Sequence, residues 1–164
     1  MTIREANFQD ISLLVAVAEN VWERTYRHII PPAQIRLMMQ EMHTPEAYAH
    51  QMKNGHKFFI AEHVGQPLGF ISFHPQYGEN GEVMRIPKLY VRFDAQGSGV
   101  GKHLLNEVDK EAKLMNIPYL ELNVNRYNKA LYFYRRNGFF IYRSEDIPYK
   151  GYWLNDYVLR RKTG

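Results

Sequence analysis

The chain has 164 residues, 45% of them apolar, no cysteine and a formal net charge of +4 at neutral pH. That length suffices for one domain with its own core. The missing thiols exclude disulfides, thiolate metal sites and a cysteine nucleophile. No apolar run approaches the ~20 residues that span a bilayer, and the opening MTIREANFQD lacks the apolar centre of a secretory leader. A soluble, cytoplasmic protein without a membrane partner is expected. Arg160, Arg161 and Lys162 read as a solvated basic tail. Nucleic-acid binding would ask for a basic stripe along an element, and none is present, so no nucleic-acid partner is expected. The seven histidines include no i, i+4 pair, so no metal is expected.

In chain order, residues 2–6 read as a strand. Over 8–26, Phe8, Ile11, Leu14, Val15, Ala18 and Trp22 recur at spacings of three and four, the pattern of an amphipathic helix. Pro31 and Pro32 open a second helix with Ile35, Leu37, Met38 and Met39 on its apolar side. Thr44 and Pro45 start a third, with Thr44 as N-cap, running to about Lys53. KFFIAEH (57–63) and LGFISFH (68–74) form a hairpin. GENGE (78–82) reads as a loop. Residues 83–92 form a further strand, irregular or bulged at Pro87, which has no N–H to give a ladder.

The helix after residue 99 presents Val100, Leu104, Leu105, Val108, Ala112 and Met115 as one stripe, with Lys102, Asn106, Asp109 and Lys113 facing away. YLELNVN (119–125) alternates strictly, with Leu120, Leu122 and Val124 opposite Glu121, Asn123 and Asn125. A short helix spans about 128–137 and closes at Gly138. Residues 139–145 and 152–160 make a last pair of strands. No linker, repeat or low-complexity stretch interrupts residues 1–164. The element order describes one mixed α/β domain.

Between the strand at 83–92 and its following helix lies DAQGSGVGKHLL (94–105), with Gly97, Gly99 and Gly101 inside five positions. Glycine in a helix interior costs roughly 1 kcal/mol against alanine, so the cluster marks a backbone that bends or lies close to something. A strand, a glycine loop and a helix N-terminus form a general phosphate cradle, because bare N–H groups and the positive end of the helix converge there. A Walker A loop fails: Gln96 stands where its first glycine would, and His103 where its Ser/Thr would. The dinucleotide fingerprint fails because the third glycine comes one residue early. A hydrolase elbow around Ser98 fails because Gln96 is not glycine.

The remaining reading, Gln96-Gly97-Ser98-Gly99-Val100-Gly101, resembles the Gln/Arg-x-x-Gly-x-Gly/Ala coenzyme A loop of the Gcn5-related N-acetyltransferases (GNAT). It follows Leu89-Tyr90-Val91 by a few residues, as that family's loop follows its fourth strand. Downstream, NRYNKALYFYRRNGF (125–139) is similar to the family's second signature, with Ala130, Tyr134, Gly138 and Phe139 in register. Tyr127 holds the place where the family's asparagine usually stands, and Asn125 and Asn128 flank it.

The resemblance covers essentially the whole chain. It implies a single α+β domain with a mixed sheet of about seven strands, splayed between the fourth and fifth and flanked by helices on both faces. It implies acetyl-CoA as co-substrate, with no metal, in a cleft between the strands at 83–92 and 119–125. Backbone groups of Leu89, Tyr90 and Val91 would hold the pantetheine arm and polarise the thioester carbonyl. Amides of Gln96, Gly97, Ser98, Gly99, Val100, Gly101 and Lys102 would hold the pyrophosphate, and Asn125 or Asn128 would touch the cofactor. Tyr134 would be the general acid toward the departing thiolate.

The expected activity is acetyl transfer to a primary amine of a small molecule or peptide, by direct attack within a ternary complex. Glu121, Glu62, His74 and ordered water are rival receivers of the amine's proton. Residues 22–35, with Trp22, Glu23 and Tyr26, would border the acceptor, a polyamine being one subtype. A non-catalytic acyl-CoA sensor and a nucleotide-phosphate binder are the competing classes. The family often dimerises. Tyr149, Tyr152, Trp153 and Tyr157 would serve a homodimer interface or fill the core.

Overall fold

The computed structural model describes residues 1–78 and 81–164. Among them are seven strands and five α-helices: β1 (Thr2–Glu5), α1 (Ile11–Tyr26), α2 (Pro32–Met42), α3 (Pro45–Lys53), β2 (Lys57–His63), β3 (Gln66–Gly78), β4 (Gly81–Val91), α4 (Val100–Leu114), β5 (Tyr119–Asn125), α5 (Ala130–Arg136), β6 (Phe140–Tyr149) and β7 (Tyr152–Lys162). The strands follow the order β1-β2-β3-β4-β5-β7-β6. The sheet is mixed, since β4 and β5 run parallel while β1–β2, β2–β3, β5–β7 and β6–β7 are antiparallel. The chain divides into two compact units, one of residues 1–74 and 88–107, the other of 75–87 and 108–164.

In the first unit, Asn7 and Asp10 form a reciprocal capping box, and a short 3₁₀ turn over 8–10 precedes α1. Arg4 fixes Asp10 from β1 through two hydrogen bonds. The turn swings Phe8 outward, leaving it 55% exposed, so the apolar stripe begins at Ile11 rather than at Phe8. Leu14, Val15, Val17, Ala18 and Val21 of α1 pack with Tyr48, Phe58, Ile60 and Phe70 into the core of this unit. Thr44 caps α3 as its sequence position suggests, Oγ1 accepting from the Ala47 amide at 3.1 Å. On α2, Gln34 and Met38 are the buried members, while Ile35, Leu37 and Met39 are half-buried.

The β2–β3 connection is two residues, Val64 and Gly65, both at positive φ. The turn is therefore tighter than the four-residue link VGQP, and Gln66 and Pro67 already pair with His63 and Glu62. β3 continues past His74 to Gly78. The expected 78–82 loop falls partly outside the described residues; Gly78 ends β3 and Gly81 opens β4. The β4 strand runs unbroken through Pro87.

In the second unit, the β4–β5 ladder pairs Met84 with Leu120 and Arg85 with Glu121. Pro87 stands beyond those pairs, so its missing N–H leaves them intact. The stripe of α4 needs two corrections. Met115 is 46% exposed and Ile117 is buried in its stead. The helix ends at Leu114, Asn116 takes positive φ, and the Ile117 amide folds back to the Ala112 carbonyl at 2.9 Å. Asp109, expected outside, is buried, with Lys113 at 3.2 Å and Arg161 at 3.5 Å.

The basic tail is also corrected. Arg160 and Arg161 belong to β7. Arg160 is buried and donates to Glu121, and Arg161 donates to the Asn137 carbonyl. Gly138 sits at positive φ just past α5, as its place in the sequence suggests.

Candidate active site

The second half of β4 leads directly into the glycine loop within the first unit. The last rung is the Arg92 amide on the Leu68 carbonyl at 2.9 Å. A 3₁₀ turn over 93–95 then reverses the chain, and the Arg24 guanidinium lies over the Phe93 ring. Three side-chain bonds shape the loop. Gln96 Nε2 donates to the Val91 carbonyl at 3.0 Å, Ser98 Oγ donates to the Ala95 carbonyl, and His103 Nδ1 lies 2.6 Å from the Gly99 carbonyl. The Gln96 amide donates to the Phe93 carbonyl at 3.4 Å, so it does not join the cradle expected of it; beyond Gln96 the loop is held from its carbonyl side, which leaves its amides open.

Gly97 and Gly99 sit at φ of +81° and +89°, backbone that a side chain would strain. Gly101 is helical and buried, so what it contributes is a missing Cβ. Among the described residues, no amide from Gly97 to Lys102 meets an acceptor in the chain; the first α4 bond comes from His103 to Gly99 at 3.0 Å. Six consecutive N–H groups at the start of a 15-residue helix form a built anion cradle. A Cβ placed on Gly97 would meet nothing within 4 Å, so the space before the loop is open. This geometry fits a pyrophosphate.

Leu89, Tyr90 and Val91 lie at the end of β4, Leu89 on the side of exposed Pro87 and Tyr90 on the side of buried Ile86 and Lys88. Tyr90 turns toward the helices. Its hydroxyl accepts from Trp22 Nε1 at 2.9 Å, and its ring stands edge-on to Phe70 and His43. Gly69 lets β3 approach here. Lys88, two residues before Tyr90, is buried, and it is not among the site residues expected from sequence. The signal for it is the strand itself: Ile86, Lys88 and Tyr90 alternate with Pro87 and Leu89, which places Lys88 on the side of Ile86 and Tyr90.

The second unit holds the other expected residues. Tyr134 is buried on α5, edge-on to Phe133 and Phe139. Asn125 Oδ1 accepts from the Tyr127 amide and Asn128 Oδ1 from the Ala130 amide, both at 2.9 Å, so both asparagines shape the turn into α5. Asn125 Nδ2 has no partner among the described residues, which leaves Asn125 the better suited to touch a ligand. Tyr127 is exposed.

Glu121 fares poorly as a proton receiver. It is 4% exposed and lies between Arg85 Nη1 and Arg160 Nε, each at 2.7 Å. Burial opposes its charge, but the two guanidiniums win and hold its carboxyl below the usual range. Arg85 also donates to Asn123 at 2.9 Å, and Asn123 donates to Asp156 at 3.1 Å. Of the remaining rivals, Glu62 is bound by Arg4 at 2.6 Å, and His74 is stacked on His56.

Comparison with known proteins identifies the family that carries this fold. The family model of the acetyltransferase (GNAT) domain matches residues 28–160. A Thermoplasma acidophilum relative named spermidine N(1)-acetyltransferase is 26% identical, covering 98% of this chain and 96% of its own. A relative in Mycobacterium tuberculosis, named as a probable N-acetyltransferase, is also 26% identical, over 93% of this chain and 92% of its own. The crystal structure of PaiA N-acetyltransferase from Thermoplasma acidophilum in complex with coenzyme A superposes with a TM-score of 0.80, at 26% identity and 98% coverage of both chains. The chain belongs to the GNAT family and is an acyltransferase, which selects the enzyme over the sensor and the nucleotide binder.

Proposed function

We propose that the chain moves an acetyl group from acetyl-CoA to the primary amine of a small molecule or peptide, residues 1–164 acting as a single N-acetyltransferase domain. The observation that carries this reading is the row of unpartnered amides from Gly97 to Lys102. Acetyl-CoA supplies an activated acetyl thioester. The amides of 97–102 receive its pyrophosphate, the expected Gln96 amide being taken by the Phe93 carbonyl, and the backbone of Leu89, Tyr90 and Val91 receives the pantetheine arm. A β4 amide near Tyr90 donates to the thioester carbonyl as negative charge develops on it, a role worth ~3–4 kcal/mol where such donors have been removed. Asn125 offers its free Nδ2.

Tyr134 protonates the departing thiolate. A phenol of pKa ~10 facing a thiol of ~8.5 makes full transfer uphill by about 2 kcal/mol, and hydrogen bonding alone already helps. The acceptor amine, at pKa ~10.4, needs roughly 4.6 kcal/mol to free its lone pair at pH 7. Without cysteine, no acetyl-thiol enzyme intermediate can form, and the amine attacks directly. The name of the Thermoplasma relative supports a polyamine as one acceptor subtype.

The test is CoA release from acetyl-CoA across polyamines, amino acids, aminoglycosides and peptide N-termini. Tyr134→Phe should lower kcat at least tenfold with little change in KM for acetyl-CoA. An unchanged rate removes Tyr134 from the chemistry, and no release with any amine refutes the reading.

A further inference from the structure

Lys88 is 6% exposed, on the face of β4 that meets the helices of the first unit. Its ammonium donates to Gln51 Oε1 at 2.9 Å and stands 5.1 Å over the Tyr48 ring. No carboxylate pairs with it among the described residues. An ammonium carries three donors, and Gln51 takes one.

The groups beside it are neutral. Burial and the Lys88 charge push His43 down to about 3. His56 falls to about 4, chiefly through burial, with smaller contributions from His74, Lys88 and His50. Two more buried polar atoms go unused here. Ser72 Oγ, fully buried on β3, has no partner, and neither has His56 Nδ1, whose ring stacks on His74 at 4.0 Å. The pairing of Leu68 with Arg92 and the contact of Phe70 with Tyr90 fix the β3–β4 register. Carried two residues further, that register sets Ser72 opposite Lys88.

A buried cation without a counter-charge is expensive, as is each orphaned polar atom; both are relieved when a ligand brings what is missing. What is missing is compact, negative and rich in acceptor lone pairs. We propose that Lys88, Ser72 and His56 receive a carboxylate carried by the acceptor, so that the acceptor is an amino acid or a similarly carboxylated amine rather than a bare polyamine.

This inference rests on the acetyltransferase reading. The location favours the acceptor as the source of the carboxylate. Lys88 directly precedes Leu89–Val91, the segment assigned to the thioester. Tyr90, about 7 Å further along the same face, is bonded to Trp22 at the expected acceptor border. A polycation approaching that face would meet a buried charge of its own sign.

Amino acids paired with the amines left by their decarboxylation test it, since each pair differs by the carboxylate alone: lysine with cadaverine, ornithine with putrescine, phenylalanine with phenethylamine. On the wild-type enzyme with saturating acetyl-CoA, the carboxylated member of at least one pair should have a kcat/KM tenfold or more higher, mainly through KM. In Lys88→Met, checked for folding by circular dichroism, that ratio should fall close to one, and Lys88→Arg should restore part of it.

Ratios of one or below across the wild-type panel overturn the proposal and leave the acetyltransferase reading standing, as does a preference that Lys88→Met leaves intact. If no amine releases CoA, the acetyltransferase reading fails separately, and calorimetry with the N-acetyl amino acids judges the pocket. Binding to wild type that Lys88→Met abolishes supports it; equal binding or none overturns it. Sodium acetate titrated alone distinguishes a site for free carboxylates, in which acetate binds but the paired acceptors show no preference, from one built for the acceptor.

Discussion

Gly69 on β3 lies so close to Tyr90 that a Cβ built on it would stand 2.6 Å from the Tyr90 carbonyl oxygen and 3.0 Å from Val91 Cα. Both obstructing atoms are backbone, so relief requires β4 itself to shift. Gly69→Ala therefore perturbs the segment assigned to the thioester without touching it chemically. Overpacking of this kind costs about 1–3 kcal/mol. We expect a lowered urea midpoint together with a several-fold rise in KM for acetyl-CoA. Gly78→Ala, where nothing lies within 4 Å, serves as a control that moves neither.

Gly97 and Gly99 require glycine for a different reason. The space around Gly97 is open, but its φ is +81°, and at Gly99 φ is +89° with the His103 ring at 3.5 Å. Alanine at either position costs roughly 1–2 kcal/mol of local strain or forces the loop into another shape. Reshaping scatters the aligned amides. Gly97→Ala and Gly99→Ala should weaken CoA binding about tenfold by calorimetry, with a smaller change in melting temperature.

The strands and helices are legible in the sequence because each carries its period. The 119–125 strand, the Thr44 cap and the Gly138 stop stand where the sequence puts them. The glycine loop is legible because its positive-φ residues leave glycine as the one unstrained choice. The departures share a cause. For Phe8, Asp109, Met115 and the Arg160–Arg161 pair, polarity along one element points the wrong way. Their places are set by groups far along the chain or by a chain reversal that periodicity does not see. Asp109 is inside because Arg161 comes to it, and Met115 is outside because Asn116 turns the chain. Lys88 is hidden for the converse reason: a strand pattern buries it, but a lysine is not expected to follow that pattern.

Glu121 illustrates the difference between a conspicuous carboxylate and a reactive one. Clasped by Arg85 and Arg160, it holds two guanidiniums in place. Removing its charge leaves both uncompensated, a change that costs about 3–5 kcal/mol in comparable buried pairs. Glu121→Gln should lower the unfolding free energy by an amount in that range. Should it fold, its kcat against pH profile should keep the wild-type shape, since the group serves as scaffold and not as base. A lost acidic limb in that profile would return Glu121 to the mechanism.

The buried histidines set the response to acid. His43, with Nδ1 2.7 Å from the Tyr48 hydroxyl, is held neutral down to about pH 3, and His56 to about pH 4, while in the unfolded chain both protonate near 6.5. Between those limits the unfolded state binds more protons than the folded one, so stability is full above pH 6.5 and falls as pH drops. Each site contributes about 1.4 kcal/mol per pH unit once its unfolded form is fully protonated, so together they approach a slope of roughly 2.7 toward pH 5. The charged neighbour on this face is Lys88, itself lowered by burial to about 8, so it is protonated throughout this window and sharpens the penalty. His43→Gln keeps a hydrogen-bonding side chain beside Tyr48 and removes one titration. Urea midpoints measured from pH 7 to 5 should show wild-type stability declining steeply and the variant declining about half as fast. Parallel curves would mean that His43 takes up its proton within the folded state.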